Sequence, residues 1–411
     1  MIAIRLDPSI KRNRPINKAY LHETRGYVLS SLYAAKEGRN PLCQERILNT
    51  TKLTYRSIRA RPVLLPLALP IVSRVGLFEA WPLIAIDLET EEGVTGCSYL
   101  EPYVARSAPY LVQMLQDLGE MLKGAPVAPL DDFRKGMGSL HLVGRAGLSQ
   151  IAVAGLDMAA WDALAKAAGM PLATLLGGTL GPVPAYNSNG LWLIDVDRVA
   201  EEAQMLVGQG GFRGLKLRLG RDRLADDIAA VEAIRTAVGE DIRLMVDFNQ
   251  GLTLGDAMHR LQGLDDLGLY WFEEPIQYDN FEGCARLARK LKTPMQLGEN
   301  FYGPRDLHDA IRAGACDYVM PDLMRIGGVT GWLQSAAIAA AEGIEVSTHL
   351  YPEVSAHLMR VTPTAHWLEW QDWGHKLLAE PFPVRDGFIE IPDRPGNGIV
   401  WDEDAIKHYA Y

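Results

Sequence analysis

From about residue 183 onward the chain repeats one pattern, a short apolar run closed by a polar group and followed by a longer stretch rich in alanine and leucine. The closures read Gly-Leu-Lys216-Leu-Arg218, Met-Val-Asp247-Phe-Asn249-Gln250, Trp-Phe-Glu273-Glu274-Pro275, Gln-Leu-Gly-Glu299-Asn300, Met-Pro-Asp322, Ser-Thr-His349-Leu350 and Trp-Leu-Glu369-Trp370. Successive polar groups stand 31, 26, 26, 23, 27 and 20 residues apart. Stretches between them, such as 226–238 and 328–343, are helical in character. This alternation predicts an α/β fold, a (β/α)7-8 barrel of the TIM type over residues 183–372.

The pattern before residue 183 is different. Stretches 57–65, 83–90 and 94–99 alternate or run apolar, with a tight turn at Glu92-Gly93, and predict a short antiparallel sheet. Helices are expected over 105–121, 130–138 and 147–167, the last with a buried stripe of Ile151, Leu156, Trp161 and Leu164. Residues 54–182 thus predict an α+β unit. Between its first two strands, residues 69–80 mix Pro, Gly and apolar side chains and read as a loop. Residues 1–53 carry ten Lys/Arg against four Asp/Glu and no sustained periodicity beyond a short helix expected over 26–37. They read as an arm or extension, since Asp7, Glu23, Glu37 and Glu45 argue against a transit peptide.

Composition narrows the function. With 48% hydrophobic residues over 411 positions, the chain has ample core. A net charge of -10 argues against nucleic acid or an anionic membrane as partner. The four cysteines, Cys43, Cys97, Cys284 and Cys316, are scattered without paired spacing, so neither a disulfide framework nor a zinc site is expected, and a reducing cytoplasm is the expected home. No apolar run is long enough to span a membrane.

The polar closures supply the chemistry. In a parallel barrel the carboxyl ends of the strands open on one face, so residues distant in the chain form one site. Asp247, Glu273 and Glu299 would end three consecutive strands, where their repulsion calls for a cation. All-oxygen ligation with room for water and substrate suits Mg2+, one per subunit. His349 and Asp322 would end adjacent strands, placing the acid to fix the imidazole tautomer of a general base. Lys216 would add positive charge beside the metal. Glu369, between Trp367 and Trp370, is expected to be desolvated, with a raised pKa that lets it donate a hydrogen bond to a growing oxyanion. Such a site removes a proton α to a carboxylate through a metal-stabilised enediolate.

The ordered set Lys-x-Arg, Asp-x-Asn, Glu-Glu-Pro, Gly-Glu-Asn, Pro-Asp, His, Glu resembles the mandelate racemase subgroup of the enolase superfamily. The resemblance runs from about Leu53 to the C-terminus and is close in Ala-Gly-Leu-Asp-Met-Ala-Ala-Trp-Asp-Ala-Leu (154–164), Gly-Gly-Val-Thr-Gly-Trp (327–332) and Pro-Thr-Ala-His-Trp-Leu-Glu (363–369). It implies that the α+β unit caps the barrel mouth, that residues 373–411 complete this cap, that 69–80 form a flap setting specificity, and that several subunits assemble into a homo-oligomer.

Two departures from the family pattern bear on the reaction. Mandelate racemase has Lys-x-Lys, the second lysine serving as base opposite the histidine, where this chain has Lys216-Leu217-Arg218; arginine keeps its proton. Glu101 and Gln371 stand where mandelate racemase lines an aryl pocket with apolar side chains, so substrate groups beyond the α-carbon are expected to be polar. Ile71, Phe78 and Leu350 keep part of the pocket apolar, and Ser188, Asn249, Tyr103 and Arg325 complete the candidate substrate contacts. Dehydration of a 2,3-dihydroxy acid of the sugar-acid type, using His349 alone, is the favoured expectation for this small carboxylate substrate. The alternatives are racemisation of a 2-hydroxy acid with Arg218 as second base, and a non-catalytic relative.

Overall fold

The computed structural model describes residues 52–74 and 76–411. The arm expected before residue 52 and its short helix lie outside the described residues.

Strands β1 (Tyr55–Ser73), β2 (Gly76–Thr90) and β3 (Thr95–Leu100) form an antiparallel sheet in that order. The loop expected over 69–80 is instead the tip of this β1–β2 ribbon, paired down to Ser73 opposite Gly76. Prolines suggested a loop, but β1 is an edge strand, where a missing N–H is tolerated. Leu67, Leu69 and Ile71 also turn inward, while Pro66, Ala68 and Pro70 turn out with a period of two. Two irregularities interrupt the ribbon, a small one between Tyr55 and Ser57 and a larger one where β1 advances from Pro66 to Ile71 while its partner moves only from Ala80 to Phe78.

Helices α1 (Ala108–Leu122), α2 (Pro129–Ser139) and α3 (Leu148–Ala167) follow. The stripe expected on α3 is not what the structure contains, because the helix is buried almost all round. It lies between the sheet and the barrel: Ser98 donates to Gly155 O (2.7 Å), while the Asp157 carboxylate accepts from Thr330 N (2.9 Å) and Thr330 Oγ1 (2.5 Å). Trp161 is only partly buried and reaches Thr330 Oγ1 as well.

Eight parallel strands then form the barrel: β4 (Val183–Asn187), β5 (Gly214–Arg218), β6 (Arg243–Asp247), β7 (Phe272–Glu273), β8 (Met295–Leu297), β9 (Tyr318–Val319), β10 (Glu345–Val346) and β11 (Leu368–Trp370). Neighbours pair in order and β11 pairs back onto β4. The last gap closes through the bridge of Val346 to Ala365 and the bond from Thr348 N to Trp367 O (3.0 Å). Helices α4 (Val196–Gly208), α5 (Leu224–Val238), α6 (Leu254–Leu264), α7 (Phe281–Ala288), α8 (Pro304–Ala313), α9 (Gly328–Glu342) and α10 (Pro352–Met359) follow the first seven strands. The eighth strand leads into a 3-10 turn, Trp373–Leu377. The strands are largely buried, and the polar closures at or just past their carboxyl ends are buried with them, whereas Arg243 and Glu345 at the amino ends of β6 and β10 are exposed. The hairpin β12 (Val384–Arg385) and β13 (Phe388–Ile389) adds antiparallel to β4. Among the described residues no helix is long and apolar enough to cross a membrane.

Candidate active site

Asp247 ends β6, Glu273 ends β7 and Glu299 lies two residues past β8, all buried. One carboxylate oxygen from each lies within 4.8 Å of the other two. Asp247 accepts from Asn249 N (2.7 Å) and Asn249 Nδ2 (2.9 Å). Glu273 accepts from Lys216 Nζ (2.7 Å) and Trp271 Nε1 (3.1 Å). Burial raises the pKa of Asp247, Lys216 opposes this, and Glu299 adds to it. At Glu273, burial first and then repulsion from Asp247 and Glu299 outweigh Lys216 and push the value up to about 8. Lys216, and Arg218 with Nε 3.8 Å from Asp247, offset the three buried acids only in part, and the all-oxygen donor set fits a hard divalent ion.

The turn that delivers Glu299 has no room for a side chain. Gly298 has φ +144°, and a Cβ there would stand 2.7 Å from Met320 N and 2.9 Å from Met320 C. Gly298→Ala is therefore expected to cost about 2 kcal/mol or more in stability and to displace Glu299. A thermal scan with and without Mg2+ checks this, the variant giving a lower Tm and a smaller upward shift with the ion.

Lys216 Nζ lies 2.7 Å from Glu273, 2.6 Å from Glu369 and 3.7 Å from Asp247. Burial works against the ammonium, but Glu273 and Glu369 more than offset it, so Lys216 stays charged. The expectation that Glu369 is a protonated donor is corrected here. Burial alone would raise it, but Lys216 and then His349 hold it down at about 2. It is an ionised partner of Lys216, and its other oxygen accepts from Leu350 N (3.0 Å).

Asp322 and His349 lie just past β9 and β10, with His349 Nδ1 2.8 Å from Asp322 Oδ2. The opposite ring nitrogen, Nε2, faces the acid cluster 3.3 Å from Glu299 Oε2. Burial disfavours the imidazolium, but Glu299, Glu369 and Asp322 raise its pKa to about 9. The next two residues, Leu350 and Tyr351, have φ of +53° and +54°, the left-handed backbone that lets the chain turn away while the ring stays at the mouth.

A cavity of about 260 Å³ opens above these groups. Lys216, Arg218, Asp247, Glu299 and His349 line it, with Glu273, Asp322 and Glu369 immediately behind. Of the expected substrate contacts, Ile71, Phe78, Tyr103, Asn249, Arg325, Leu350 and Gln371 are in its wall. Ser188 and Glu101 are not. Ser188 Oγ is taken up by Arg218 Nη2 (2.9 Å) and Gln371 Nε2 (3.3 Å). Glu101 sits behind Trp81, accepting from its Nε1 at 2.5 Å, and burial pushes its pKa up to about 8. Arg218 is clamped: Nη1 donates to Ser188 O (3.0 Å) and Gly190 O (3.1 Å), and the guanidinium stacks 3.7 Å from the centre of the Trp192 ring.

Sequence reasoning missed Trp81, Trp192 and Trp373, which with Phe78 and Tyr103 give the cavity an aromatic wall. Ring centres lie 4.6 Å apart for Trp81–Trp373, 5.1 Å for Trp81–Tyr103 and 5.9 Å for Phe78–Trp81. The nearest signals were positional, since Trp192 follows the first barrel strand and Trp373 the last.

Comparison with known proteins agrees with this arrangement. Residues 198–405 match the enolase C-terminal domain-like family, and residues 55–177 match the mandelate racemase / muconate lactonizing enzyme N-terminal domain. The chain is 32% identical to a 3,6-anhydro-alpha-L-galactonate cycloisomerase of Streptomyces coelicolor, over 82% of this chain and 93% of that one. It is 36% identical to an L-talarate/galactarate dehydratase of Salmonella typhimurium, over 64% and 67% respectively. An enolase from the alpha proteobacterium BAL199, solved with bound magnesium, superimposes with TM-score 0.86 at 58% identity, covering 87% of this chain and all of that one. A Bradyrhizobium enolase, solved with magnesium and mandelic acid, gives 0.84 at 40% identity, covering 88% and 99%. The chain belongs to the enolase superfamily, in its mandelate racemase / muconate lactonizing enzyme group.

Proposed function

We propose that this protein is an enzyme that removes the proton α to the carboxylate of a polyhydroxy acid, with Mg2+ as cofactor, and then expels water from C3. The observation that carries this reading is that, among the described residues, one His349–Asp322 pair faces the acid cluster, while the arginine that also lines the cavity is tethered by Ser188 and Gly190. The magnesium bound to two superimposable relatives and the dehydratase activity of a third relative support it.

Asp247, Glu273 and Glu299 would hold the ion, which when bound supplies a Lewis acid for the substrate carboxylate. His349 takes the C2 proton on Nε2 while Asp322 keeps Nδ1–H in place. Glu299 is the largest of the charges that raise His349, so its engagement as a ligand would move the imidazole toward the neutral form a base needs. Lys216 presents fixed positive charge where the substrate gains negative charge, and Glu369 holds it there. The C2–H electron pair then forms the C2–C3 double bond as the C3–OH bond breaks. The proton held on His349 leaves with that hydroxyl as water, and the resulting enol tautomerises to a 2-keto-3-deoxy acid.

Racemisation of an aryl 2-hydroxy acid is the second reading, favoured by the aromatic wall and by the mandelic acid in the Bradyrhizobium structure. It needs a second base, and Arg218 has its fork committed to two carbonyl oxygens and one hydroxyl. Incubating acid-sugar and aryl hydroxy-acid panels with Mg2+ in D2O separates the two. Formation of a 2-keto-3-deoxy acid supports dehydration, whereas an inverted acid carrying deuterium at C2, with no keto acid, overturns it. Arg218→Lys is expected to lower kcat/KM about tenfold or more for dehydration, because an ammonium cannot reproduce the forked bonds, and any inversion it gained would come from the new lysine acting as a base. Polarimetry beside the keto-acid assay reads both.

A further inference from the structure

Arg325 stands where the acid cluster and the base pair meet. It belongs to the single helical turn Leu323–Ile326, which follows β9 and is capped by Asp322. Its backbone N donates to Asp322 Oδ1 (3.1 Å), while Asp322 Oδ2 meets His349 Nδ1 at 2.8 Å. Its side chain reaches the other half of the site, Nη1 donating to the backbone oxygen of Glu299 at 2.7 Å. His349 Nε2 in turn lies 3.3 Å from Glu299 Oε2. These contacts close a ring that runs from Glu299 through Arg325, Asp322 and His349 back to Glu299. No member of a closed ring shifts alone, so the guanidinium helps to set the spacing between the base and the acid cluster.

The ring is also fastened to the N-terminal α+β unit. The Arg325 guanidinium lies over the Tyr103 ring, 4.5 Å from its centre. Tyr103 sits three residues past β3 in left-handed backbone (φ +62°), and its ring centre is 5.1 Å from that of Trp81 on β2. The Arg325 carbonyl accepts from Gln150 Nε2 of α3 (2.6 Å) and from Gly303 N (3.1 Å). Arg325 does line the cavity, as the sequence suggested. Each forked edge of its guanidinium nevertheless has one member unavailable to a substrate carboxylate: Nη1 is engaged by Glu299 O, and Nε is enclosed.

We propose that Arg325 is a positioning residue, which ties the placement of Glu299 and of the His349–Asp322 pair to Tyr103 of the N-terminal unit. The part that concerns the base rests on the α-proton reading above, whereas the part that concerns Glu299 rests on the metal site alone.

The test uses the full chain. Mg2+ is titrated calorimetrically into metal-free protein without substrate, and kcat and KM are then measured at saturating Mg2+ on the best acid found. Arg325→Met is expected to weaken Mg2+ binding about 10- to 100-fold, the usual effect of losing a partner that orients a metal ligand, and to lower kcat about tenfold or more with little change in KM. Arg325→Lys is expected to recover part of both, since an ammonium can still reach the carbonyl. Tyr103→Phe keeps the ring and is expected to bind Mg2+ as wild type does. Tyr103→Leu is expected to weaken Mg2+ about threefold or more, and to add nothing in the Arg325→Met background. A raised KM with unchanged kcat and Mg2+ affinity would make Arg325 a substrate contact and overturn the proposal. Additive losses from Tyr103→Leu and Arg325→Met would overturn the tie to the N-terminal unit. Should Arg325→Met fail to fold, Tyr103→Leu against Tyr103→Phe still decides, equal Mg2+ affinities overturning it. Inactivity of the wild type on every acid would sink the α-proton reading alone, because the Mg2+ titration needs no substrate.

Discussion

Replacing His349 by asparagine is expected to lower kcat by about 10²- to 10⁴-fold, the usual contribution of a positioned general base, and to abolish C2 exchange to the same extent. Both losses have one origin. The imidazole's Nδ1 is engaged by Asp322 at 2.8 Å, so only Nε2 faces the acid cluster and the cavity. Asparagine is polar enough to remain beside Asp322 but cannot take a proton. KM should change far less, because the substrate's carboxylate is expected to be held by the other side of the site. Asp322→Asn is expected to act in the same direction, since an amide no longer fixes the proton-bearing nitrogen. Single-turnover kinetics with C2-deuterated substrate would check the step, and exchange that persisted in His349→Asn would remove this histidine from the mechanism.

Stripping divalent metal is expected to abolish activity and also to lower Tm, with both restored by Mg2+. The stability effect follows from the acids themselves. Asp247 and Glu273 have raised pKa values, first because of burial and then through repulsion from neighbouring carboxylates, Glu299 at Asp247 and both Asp247 and Glu299 at Glu273, so the folded chain gains from any bound positive charge. An ion held only by the folded state at about 100 times its Kd adds about 2.7 kcal/mol. Glu273→Gln is expected to remove the activity and most of the Mg2+-dependent shift in Tm. A Tm indifferent to both EDTA and Mg2+ would contradict the metal site and favour a non-catalytic role.

The barrel and the positions of the acids were legible because a buried parallel strand must be apolar until its end, which makes a polar closure conspicuous. His349 and Asp322 were readable together because successive strands lie side by side. Glu369 was misread for a complementary reason. Its ionisation is decided by Lys216, which joins it only because the eighth strand closes onto the first, and no local pattern carries that closure. The ribbon tip was misread because composition points to a loop, whereas pairing and inward alternation decide a strand. Ser188 and Glu101 lie outside the cavity wall, held by Arg218 and Gln371 in one case and by Trp81 in the other, and an aligned position does not reveal which neighbour engages a side chain. Trp192 and Trp373 carry no motif, and their place in the wall depends on the way the segments after the first and last barrel strands fold over the mouth.

The mismatch in the β1–β2 ribbon has an engineering consequence. Because β1 gains residues between Pro66 and Ile71 that β2 does not match, the tip keeps a pairing register of its own, distinct from that of the long base. Residues 67–80 should therefore behave as an exchangeable cassette. Transplanting the equivalent segment from a relative would be expected to retune selectivity at little cost to the host scaffold, which makes this short ribbon the natural target for combinatorial libraries.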